Sequence, residues 1–299
     1  MRIILFFIDG VGLAPARPTN LLSATPTPCL QELLYGHRLT LEAVGTHNEQ
    51  ATLLSLDATL GVPGEPQSAT GQTSLFTGVN AAQAVGRHIR GFPTEALSTI
   101  LENEGILKKM IQTGKKATFL NTYRPQFFVS RPKGRRAYAT TTLLNMYAGL
   151  PFHTLDDMKA GRSLNADITN EVLIEQGYPV SLLDPFTAGE RVATRTEHFD
   201  FLLFEYFLTD HFSHKRNQEK IQKCITTIDR FIAGIVSKQN LADTLLLVTS
   251  DHGNLEDLTT SAHTRNPVPL LLVGAGREHL PPLRTLTDLA PFILERLPH

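Results

Sequence analysis

The sequence has few of the features that mark secreted, membrane-bound or nucleic-acid-binding proteins. Its two cysteines, Cys29 and Cys224, are far apart and form no disulfide framework, so a reducing cytoplasm is the expected location. The formal net charge of -1 creates no positive field, which argues against nucleic-acid and acidic-membrane partners. No apolar run is long enough to span a membrane, and the run at residues 3–8 is too short for a signal peptide.

Short apolar runs recur along the chain and predict buried strands. They lie at residues 3–8, 51–56, 117–120, 201–207, 244–248 and 269–273. Helical patterns separate several of them, most clearly at 217–239, and another helix is expected at 285–295. The apolar face of the 217–239 pattern consists of Ile221, Cys224, Ile225, Ile228, Phe231, Ile232 and Ile235. Buried strands that alternate with amphipathic helices predict an α/β fold with a mostly parallel sheet.

The middle of the chain differs in composition from its two ends. It is rich in Arg, Lys and Thr, and its most basic segment is residues 124–136. We therefore predict two domains. Residues 1–85 and 200–299 would form a metal-binding catalytic core, and residues 86–199 would form a smaller inserted α/β cap that holds substrate.

Side chains suited to catalysis lie just beyond the predicted strand ends, where open α/β sheets bind their ligands. They are Asp9, Ser68, Asp210, His214, Asp251, His252 and His263. Taken singly, Asp9 is a plausible loop hydrogen bonder, and Ser68 a plausible N-cap of a helix that begins near Thr70. Taken together, so many ionisable groups carry a desolvation cost that only pairing offsets, which favours a functional site.

Three Asp, three His and one hydroxyl form a ligand set for two divalent cations, Mn²⁺ or Zn²⁺. Two cations about 4 Å apart stabilise the attacking and leaving oxygens of a phosphoryl transfer. Coordination also activates a serine hydroxyl, and a helix N-terminus at Ser68 would bind a phosphate oxygen. A Ser-His-Asp triad is a weaker interpretation, because no G-x-S-x-G elbow surrounds Ser68. The residues thus predict an enzyme that acts on a small phosphorylated metabolite.

The motifs "FIDGVG", "QSATGQTS", "DHFSH", "TSDHGNLED" and "AHTRNPVPLLLVG" resemble the metal-binding core of the alkaline phosphatase superfamily. The most similar branch contains the cofactor-independent phosphoglycerate mutases and the phosphopentomutases. The resemblance covers about residues 1–85 and 200–299, and the motifs occur in the family's order. It implies an alkaline-phosphatase-like α/β core that uses Mn²⁺ or, in more distant relatives, Zn²⁺.

The resemblance also implies a role for each matched residue. One metal would be held by Asp210, His214 and His263. The other would be held by Asp9, Asp251, His252 and the oxygen of Ser68. Ser68 would be transiently phosphorylated, although Thr70 lies close enough to remain an alternative nucleophile.

Two departures from the branch leave the reaction open. Branch members have a Gly-His pair after the nucleophile, where this chain has Gly71-Gln72. Residues 86–199 are also far fewer than the second domain of the glycolytic mutase, and "GFP" at 91–93 is closer to phosphopentomutases. A phosphomutase is the leading hypothesis. The alternatives are a metal-dependent phosphatase or phosphodiesterase and, from another class, a non-catalytic protein that binds metal or ligand.

Binding of a phosphorylated substrate also requires cations from side chains. Arginine binds phosphate or carboxylate through two parallel hydrogen bonds, which makes arginines near the motifs candidates. The candidates are Arg87, Arg90, Arg124 and Arg265, with Arg131, Lys133, Arg135 and Arg136 in the basic segment. Arg265 follows the proposed ligand His263 and would contact phosphate or pair with Glu256 or Asp257.

Overall fold

The computed structural model describes residues 1–129 and 138–297. Within these residues one six-stranded sheet has the order β2-β6-β5-β1-β4-β3. The strands are β1 Arg2–Ile8, β2 Ala51–Leu56, β3 Ala117–Phe119, β4 Phe201–Tyr206, β5 Thr244–Thr249 and β6 Val268–Gly274. All six predicted runs form strands whose ends differ from the prediction by at most one residue. The runs were recognisable because every strand is largely buried.

Strand direction determines where the polar side chains meet. β3, β4, β1 and β5 run parallel to one another, whereas β6 pairs antiparallel with both β5 and β2. Five strands of this sheet therefore point one way and β6 points the other. The mostly parallel sheet is confirmed. Because β6 is reversed, a residue that precedes it lies at the same sheet edge as residues that follow the other strands.

Helices cover both faces of the sheet. In chain order they are α1 Leu21–Ala24, α2 Pro28–Leu33, α3 Ser68–Thr77, α4 Ala81–Val85, α5 Glu95–Glu104, α6 Ile106–Gln112, α7 Pro125–Val129, α8 Thr140–Tyr147, α9 Leu155–Lys159, α10 Glu171–Glu175, α11 Pro185–Arg195, α12 Leu208–His214, α13 Gln218–Lys238 and α14 Leu289–Arg296. The predicted C-terminal helix is present, preceded by a 3-10 turn at Leu286–Asp288.

Two hydrophobic cores result from the alternation of side chains along the strands. In β1, Ile4 and Phe6 contribute to one core, and Ile3, Leu5 and Phe7 contribute to the other. The first core contains the apolar face of α13, whose seven predicted residues are all buried. The second contains α3, α6 and α14. The arrangement is a three-layer α/β/α fold.

Residues 86–199 are joined to this layered structure at several points. β3 extends the sheet beside β4, and α11 packs along α13. The division into a core and a cap remains a prediction. Arg131, Lys133, Arg135 and Arg136 lie outside the described residues. Among the described residues, no helix is both long and apolar enough to cross a membrane.

Candidate metal centre

The first group of ligands, called here the Asp9 cluster, consists of Asp9, Asp251 and His252. Asp9 follows β1, and the other two follow the adjacent strand β5. Each offers a ligand atom, and these atoms lie within 4.8 Å of one another. The His252 Nε2 atom is 3.2 Å from Asp9 Oδ1 and 3.6 Å from Asp251 Oδ2. All three residues are buried, so their charges are poorly screened by water.

The second group, called the Asp210 cluster, consists of Asp210, His214 and His263, whose ligand atoms also lie within 4.8 Å of one another. Asp210 and His214 are one turn apart on α12, with His214 Nε2 3.2 Å from Asp210 Oδ2. His263 Nε2 is 3.5 Å from Asp210 Oδ1 and 3.1 Å from His214 Nε2. His263 reaches this group because it precedes the reversed strand β6.

Hydrogen bonds orient two of the imidazole rings so that Nε2 is directed into the site. His263 Nδ1 lies 2.8 Å from the Pro66 carbonyl oxygen, and His214 Nδ1 lies 2.7 Å from that of Ser261. A carbonyl oxygen only accepts, so Nδ1 carries the proton in both rings. Each Nε2 atom then presents its lone pair to the Asp210 cluster, the state that a metal-ligating histidine requires.

The electrostatics of the Asp9 cluster fit a bound cation. Burial, reinforced by the charge of Asp251, raises the pKa of Asp9 to about 7. Burial acts to lower the pKa of His252, but the carboxylates of Asp251 and Asp9 outweigh it and raise that pKa to about 10. Within the described part of the chain, the buried oxygens Asp9 Oδ1 and Asp251 Oδ2 have no well-aligned hydrogen-bond donor. A divalent cation would satisfy both oxygens and offset the clustered negative charge.

The side chain of Ser68 lies at the Asp9 cluster, with Oγ 2.9 Å from His252 Nε2. The alternative of an N-cap role for Ser68 is wrong. Ser68 is the first residue of α3, Gln67 occupies the cap position, and no side chain caps this helix. The hydroxyl is therefore directed toward His252. The nearby Thr70 hydroxyl donates to the Gln67 carbonyl and accepts from the Ile89 N–H, and Thr70 is fully buried.

Other residues hold the ligands in place, and sequence reasoning did not identify them. Gln72 Nε2 donates to Asp9 Oδ2 at 3.2 Å, and Asn254 Nδ2 donates to Asp210 Oδ1 at 2.8 Å. The buried carboxylate of Glu256 accepts from the Gly12 and Asn254 backbone N–H groups, both at 2.9 Å. Gly12 is required there, because a Cβ atom would lie 2.3 Å from Glu256 Oε1. Asn254 and Glu256 belong to "TSDHGNLED", but nothing in their spacing revealed these contacts.

A cavity of about 630 Å³ lies beside the two clusters and is lined by Asp9, Ser68, Gln72, Asp210 and His214. Its remaining wall comes mostly from residues 91–92, 119, 121–123 and 139–142 and from β4 and its continuation. Two described residues that were not predicted also line it, His211 and Lys215. Burial and the charge of Lys215 lower the pKa of His211, so Lys215 carries the positive charge of this pair. Gly91 and Phe92, from the "GFP" motif, contribute to the wall as well.

The four described arginine candidates are not brought together at this cavity. Arg87 and Arg90 are exposed. Arg265 donates to the Gly64 carbonyl at 2.7 Å and pairs with neither Glu256 nor Asp257. Arg124 donates to Gln176 and lines a neighbouring cavity of about 470 Å³, which shares Thr122, Tyr123 and Phe207 with the first.

Residues 186–298 match the family described as the metalloenzyme superfamily, and this stretch contains five of the six residues of the two clusters. The chain is also similar to proteins described as 2,3-bisphosphoglycerate-independent phosphoglycerate mutases. The protein from Ehrlichia canis (strain Jake) is 30% identical over 128 residues, covering 38% of this chain and 26% of the relative.

A second relative of the same description, from Desulforudis audaxviator (strain MP104C), is 34% identical over 110 residues. That match covers 34% of this chain and 21% of the relative. The chain thus matches about a quarter or less of the length of these mutases. Their activity as whole proteins is therefore not transferred to it by similarity.

Solved structures match nearly the whole chain. The PH0037 protein from Pyrococcus horikoshii aligns with a TM-score of 0.61 and 15% identity, over 98% of this chain and 96% of the other. Alkaline phosphatase from the Antarctic bacterium TAB5 aligns with a TM-score of 0.55 and 14% identity, over the same fractions. At such identities the matches establish the fold alone. The alkaline-phosphatase-like fold and the resemblance expected from the motifs are confirmed.

Proposed function

We propose that this chain is a metal-dependent phosphoryl-transfer enzyme that acts on a small phosphorylated metabolite through a phosphoserine intermediate on Ser68. The observation that carries the proposal is the position of Ser68. Its Oγ atom lies 2.9 Å from a residue of the Asp9 cluster, at the first turn of α3 and at the wall of the cavity. Asp210 and His214 of the Asp210 cluster line the same cavity.

Each cluster would hold one divalent cation, Mn²⁺ or Zn²⁺, since carboxylate and neutral imidazole are their common ligands. When bound, these cations would lower the pKa of the Ser68 hydroxyl and neutralise charge on the phosphate oxygens. Gln72 and Asn254 hold the carboxylates of Asp9 and Asp210 in position. The N–H groups of Ser68 and Ala69 in the first turn of α3 favour a phosphate oxygen beside Ser68, whereas that of Thr70 donates to the Ile89 carbonyl.

Ser68 is favoured over Thr70 as the nucleophile because of their hydrogen bonds. The Thr70 hydroxyl both donates and accepts within its own surroundings, where it links α3 to the backbone at Ile89. The Ser68 hydroxyl contacts an imidazole of the Asp9 cluster instead. A hydroxyl has one proton to donate, and Thr70 has already donated it to Gln67.

The destination of the phosphoryl group separates two candidate reactions. Return to another hydroxyl of the same molecule makes the enzyme a phosphomutase, which the similarity to phosphoglycerate mutases favours. Transfer to water makes it a phosphatase or phosphodiesterase. This second candidate is favoured by the short match, because about three quarters of each mutase has no counterpart in the alignment. A cytoplasmic location is proposed with either reaction.

The proposal is tested by incubating the metal-loaded protein with a panel of sugar phosphates and phosphoglycerates. ³¹P NMR would separate positional isomers from free inorganic phosphate. We expect Ser68→Ala to reduce turnover by roughly a thousandfold or more, with bound metal retained. Thr70→Val is the matched control and is expected to stay within a few-fold of the parent protein. Phosphate trapped on any residue other than Ser68 would refute the assignment.

A non-catalytic metal- or ligand-binding protein is the alternative from a different class. It would bind metal at the same clusters but would not release p-nitrophenol from p-nitrophenyl phosphate at any Mn²⁺ or Zn²⁺ concentration. The complete set of six candidate ligands beside a serine hydroxyl argues against this alternative.

A further inference from the structure

A second cavity, of about 470 Å³, adjoins the cavity that contains Ser68, and it has no role in the proposed phosphoryl transfer. Its volume lies within the range of about 300–1,000 Å³ that is typical of small-molecule sites. The residues that line both cavities are Thr122, Tyr123, Ala166 and Phe207. Because the two cavities share these residues, a molecule whose phosphate lies beside Ser68 can extend into the second cavity.

The second cavity is separate from the candidate metal centre. The described residues that line it include neither Ser68 nor any residue of the Asp9 and Asp210 clusters. The first cavity, in contrast, is lined by Asp9, Asp210 and His214. A group bound in the second cavity therefore contacts side chains other than the metal ligands. Such contacts select the substrate and take no part in the transfer itself.

One wall of the second cavity belongs to an Ω-loop, a compact surface loop whose two ends lie close together. The Leu183 N–H donates to the Thr169 carbonyl at 2.9 Å and closes this loop over residues 169–183. Two of its residues, Val172 and Leu173, line the cavity with apolar side chains. Backbone pairing at the base of the loop thus holds this wall in place.

Two hydrogen bonds join the Ω-loop to residues around the start of α7. Arg124 donates to the side-chain oxygen of Gln176, and the Tyr178 hydroxyl donates to Gln126 Oε1 at 2.6 Å. Arg124, Gln126 and Gln176 all line the cavity and are exposed, so they lie at its rim. The cavity is therefore preformed, as small-molecule sites usually are.

The polar side chains that line this cavity already have partners within the protein. Besides the two bonds at the rim, Thr122 Oγ1 lies 2.8 Å from Ser163 Oγ, and Asn165 Nδ2 donates to Asp167 Oδ1 at 2.6 Å. The Asp167 carboxylate also accepts from two backbone N–H groups of the Ω-loop. A polar ligand would have to replace these hydrogen bonds, so it would gain little free energy from them.

Aromatic and aliphatic side chains form the rest of the lining. The rings of Tyr123 and Phe127 pack with their centroids 4.4 Å apart. Phe207 is 43% exposed, although it directly follows the buried strand β4. The larger aliphatic residues are Val172, Leu173 and Leu208. Such a lining favours an uncharged ring, which removes apolar area from water and makes edge-to-face contacts with aromatic side chains.

We propose that the second cavity is the binding site for the alcohol part of the substrate, and that this part contains an uncharged aromatic or alicyclic ring. This inference rests on the proposed phosphoryl transfer. It defines the substrate class as phosphate esters of ring-bearing alcohols or phenols. The phosphate lies beside Ser68, and the ring lies against Tyr123 and Phe127. A phosphoglycerate has no ring and leaves the second cavity empty.

The test measures binding to metal-loaded Ser68→Ala protein by calorimetry, which separates recognition from turnover. The probes are phenyl phosphate, cyclohexyl phosphate, methyl phosphate and 3-phosphoglycerate. We expect at least one ring ester to bind about tenfold or more tightly than methyl phosphate, because the ring is buried against apolar side chains. The ratio of these two affinities is called here the ring preference.

Adding Ala166→Leu should remove most of the ring preference. Ala166 lines both cavities, so a larger side chain narrows the passage between them. Ala160→Leu, at an exposed position that lines neither cavity, is the matched control and should keep the preference. Phe207→Ala removes a ring instead of adding bulk and should reduce the preference in part. Metal content and thermal melting show whether each variant keeps the fold.

Several results would overturn the inference. They are no binding of any ester, no ring preference in the Ser68→Ala protein, a ring preference that Ala166→Leu leaves unchanged, and equal weakening of all four esters by Ala166→Leu. Tighter binding of 3-phosphoglycerate than of the ring esters, if Ala166→Leu abolished it, would assign the cavity to a charged group and also overturn the inference.

Failure of this inference is distinguishable from failure of the proposed function. Turnover of methyl phosphate by the Ser68 protein without any ring preference would leave the phosphoryl transfer standing alone. A ring preference that Ala166→Leu removes, without turnover of any ester, would support the binding site and reject the enzyme.

Discussion

The imidazole ring of His252 stacks on the ring of His263, with centroids 3.7 Å apart and planes inclined by 14°. The two residues are eleven positions apart in the sequence, and each belongs to a different cluster. His263 also lies 3.1 Å from His214 through their Nε2 atoms. The stacked rings are thus a direct contact between the two clusters, so the two candidate cations would be neighbours.

We expect the chain to bind two divalent cations. A ligand substitution in one cluster should remove the cation of that cluster and leave the other cation bound. Asp210→Asn should remove the cation of the Asp210 cluster, and Asp251→Asn the cation of the Asp9 cluster, because each substitution removes a ligand charge. Metal content of desalted protein, measured by mass spectrometry, should fall from about two to about one per chain in each variant.

His211→Ala is the matched control for the metal measurement. His211 lies on the same helix as Asp210 and His214, is exposed, and belongs to neither cluster. It should retain the full metal content. Complete metal loss in either single ligand variant would contradict independent sites and indicate that one cation requires the other.

Gln72→Ala should weaken the cation of the Asp9 cluster without affecting the other cation. Gln72 Nε2 donates to Asp9 Oδ2 at 3.2 Å. The substitution removes this hydrogen bond, which orients the Asp9 carboxylate toward the cation. Loss of such a supporting hydrogen bond typically costs about 10- to 100-fold in metal affinity. Competition with a chelator of known affinity would measure it. The exposed Gln83→Ala serves as the control, and equal effects of the two substitutions would exclude a positioning role for Gln72.

Metal binding should release protons and become stronger as pH rises from about 6 to 10. In the metal-free protein burial and the charge of Asp251 raise the pKa of Asp9 to about 7, and the neighbouring carboxylates raise that of His252 to about 10, so near neutral pH His252 is protonated and Asp9 is about half protonated. A cation needs the carboxylate and the neutral imidazole, and it must therefore displace these protons. Both pKa values are raised in the folded protein, so protons compete with the cation most strongly at low pH. This competition weakens as the pH rises past each pKa.

Calorimetry at pH 7 in buffers of different ionisation enthalpy would count the released protons. The observed binding enthalpy should vary with the ionisation enthalpy of the buffer. His252→Gln should reduce the slope of this dependence, because the glutamine side chain does not titrate and releases no proton. A buffer-independent enthalpy would show that the Asp9 cluster is already deprotonated before metal binds.

Glu256→Ala should destabilise the protein by roughly 2–5 kcal/mol. Its carboxylate is fully buried and accepts from the backbone N–H groups of Gly12 and Asn254, which would lose their acceptor. Glu256→Gln keeps an oxygen for these donors and should cost less, but its amide would face the Asn266 amide that now donates to Oε1. Urea unfolding of the metal-free proteins would measure both. Equal losses would show that cavity formation, which only the alanine variant suffers, does not determine the cost, and that the acceptor contacts of the ionised carboxylate do.

Much of the fold was predictable from local sequence. The strands are buried on both faces, so their side chains form nearly continuous apolar runs, and 51–56 was predicted with the exact bounds of β2. The apolar face of α13 was predictable because helical periodicity spans its 21 residues. The identity of the candidate ligands followed from the polar residues at the ends of these runs.

The direction of β6 was not predictable from its own residues. The sequence of such an apolar run is the same for parallel and antiparallel pairing, because the strand is buried on both faces in either case. Yet this direction places His263 beside Asp210 and His214. The contacts of the candidate arginines were also not predictable, because the sequence does not indicate the direction in which a basic side chain near a motif points. Arg265, for example, donates to the Gly64 carbonyl.

The sequence by itself determined the α/β class, the positions of the strands and the kinds of ligand present, since these follow from periodicity and composition within short windows. Only the tertiary structure decided how those ligands divide into two clusters, that Ser68 starts α3 and faces His252, and that Gln72 and Glu205 line the same cavity. These relationships join residues that are tens to hundreds of positions apart, such as Ser68 and His252. They depend on strand direction and side-chain orientation, which no local pattern encodes.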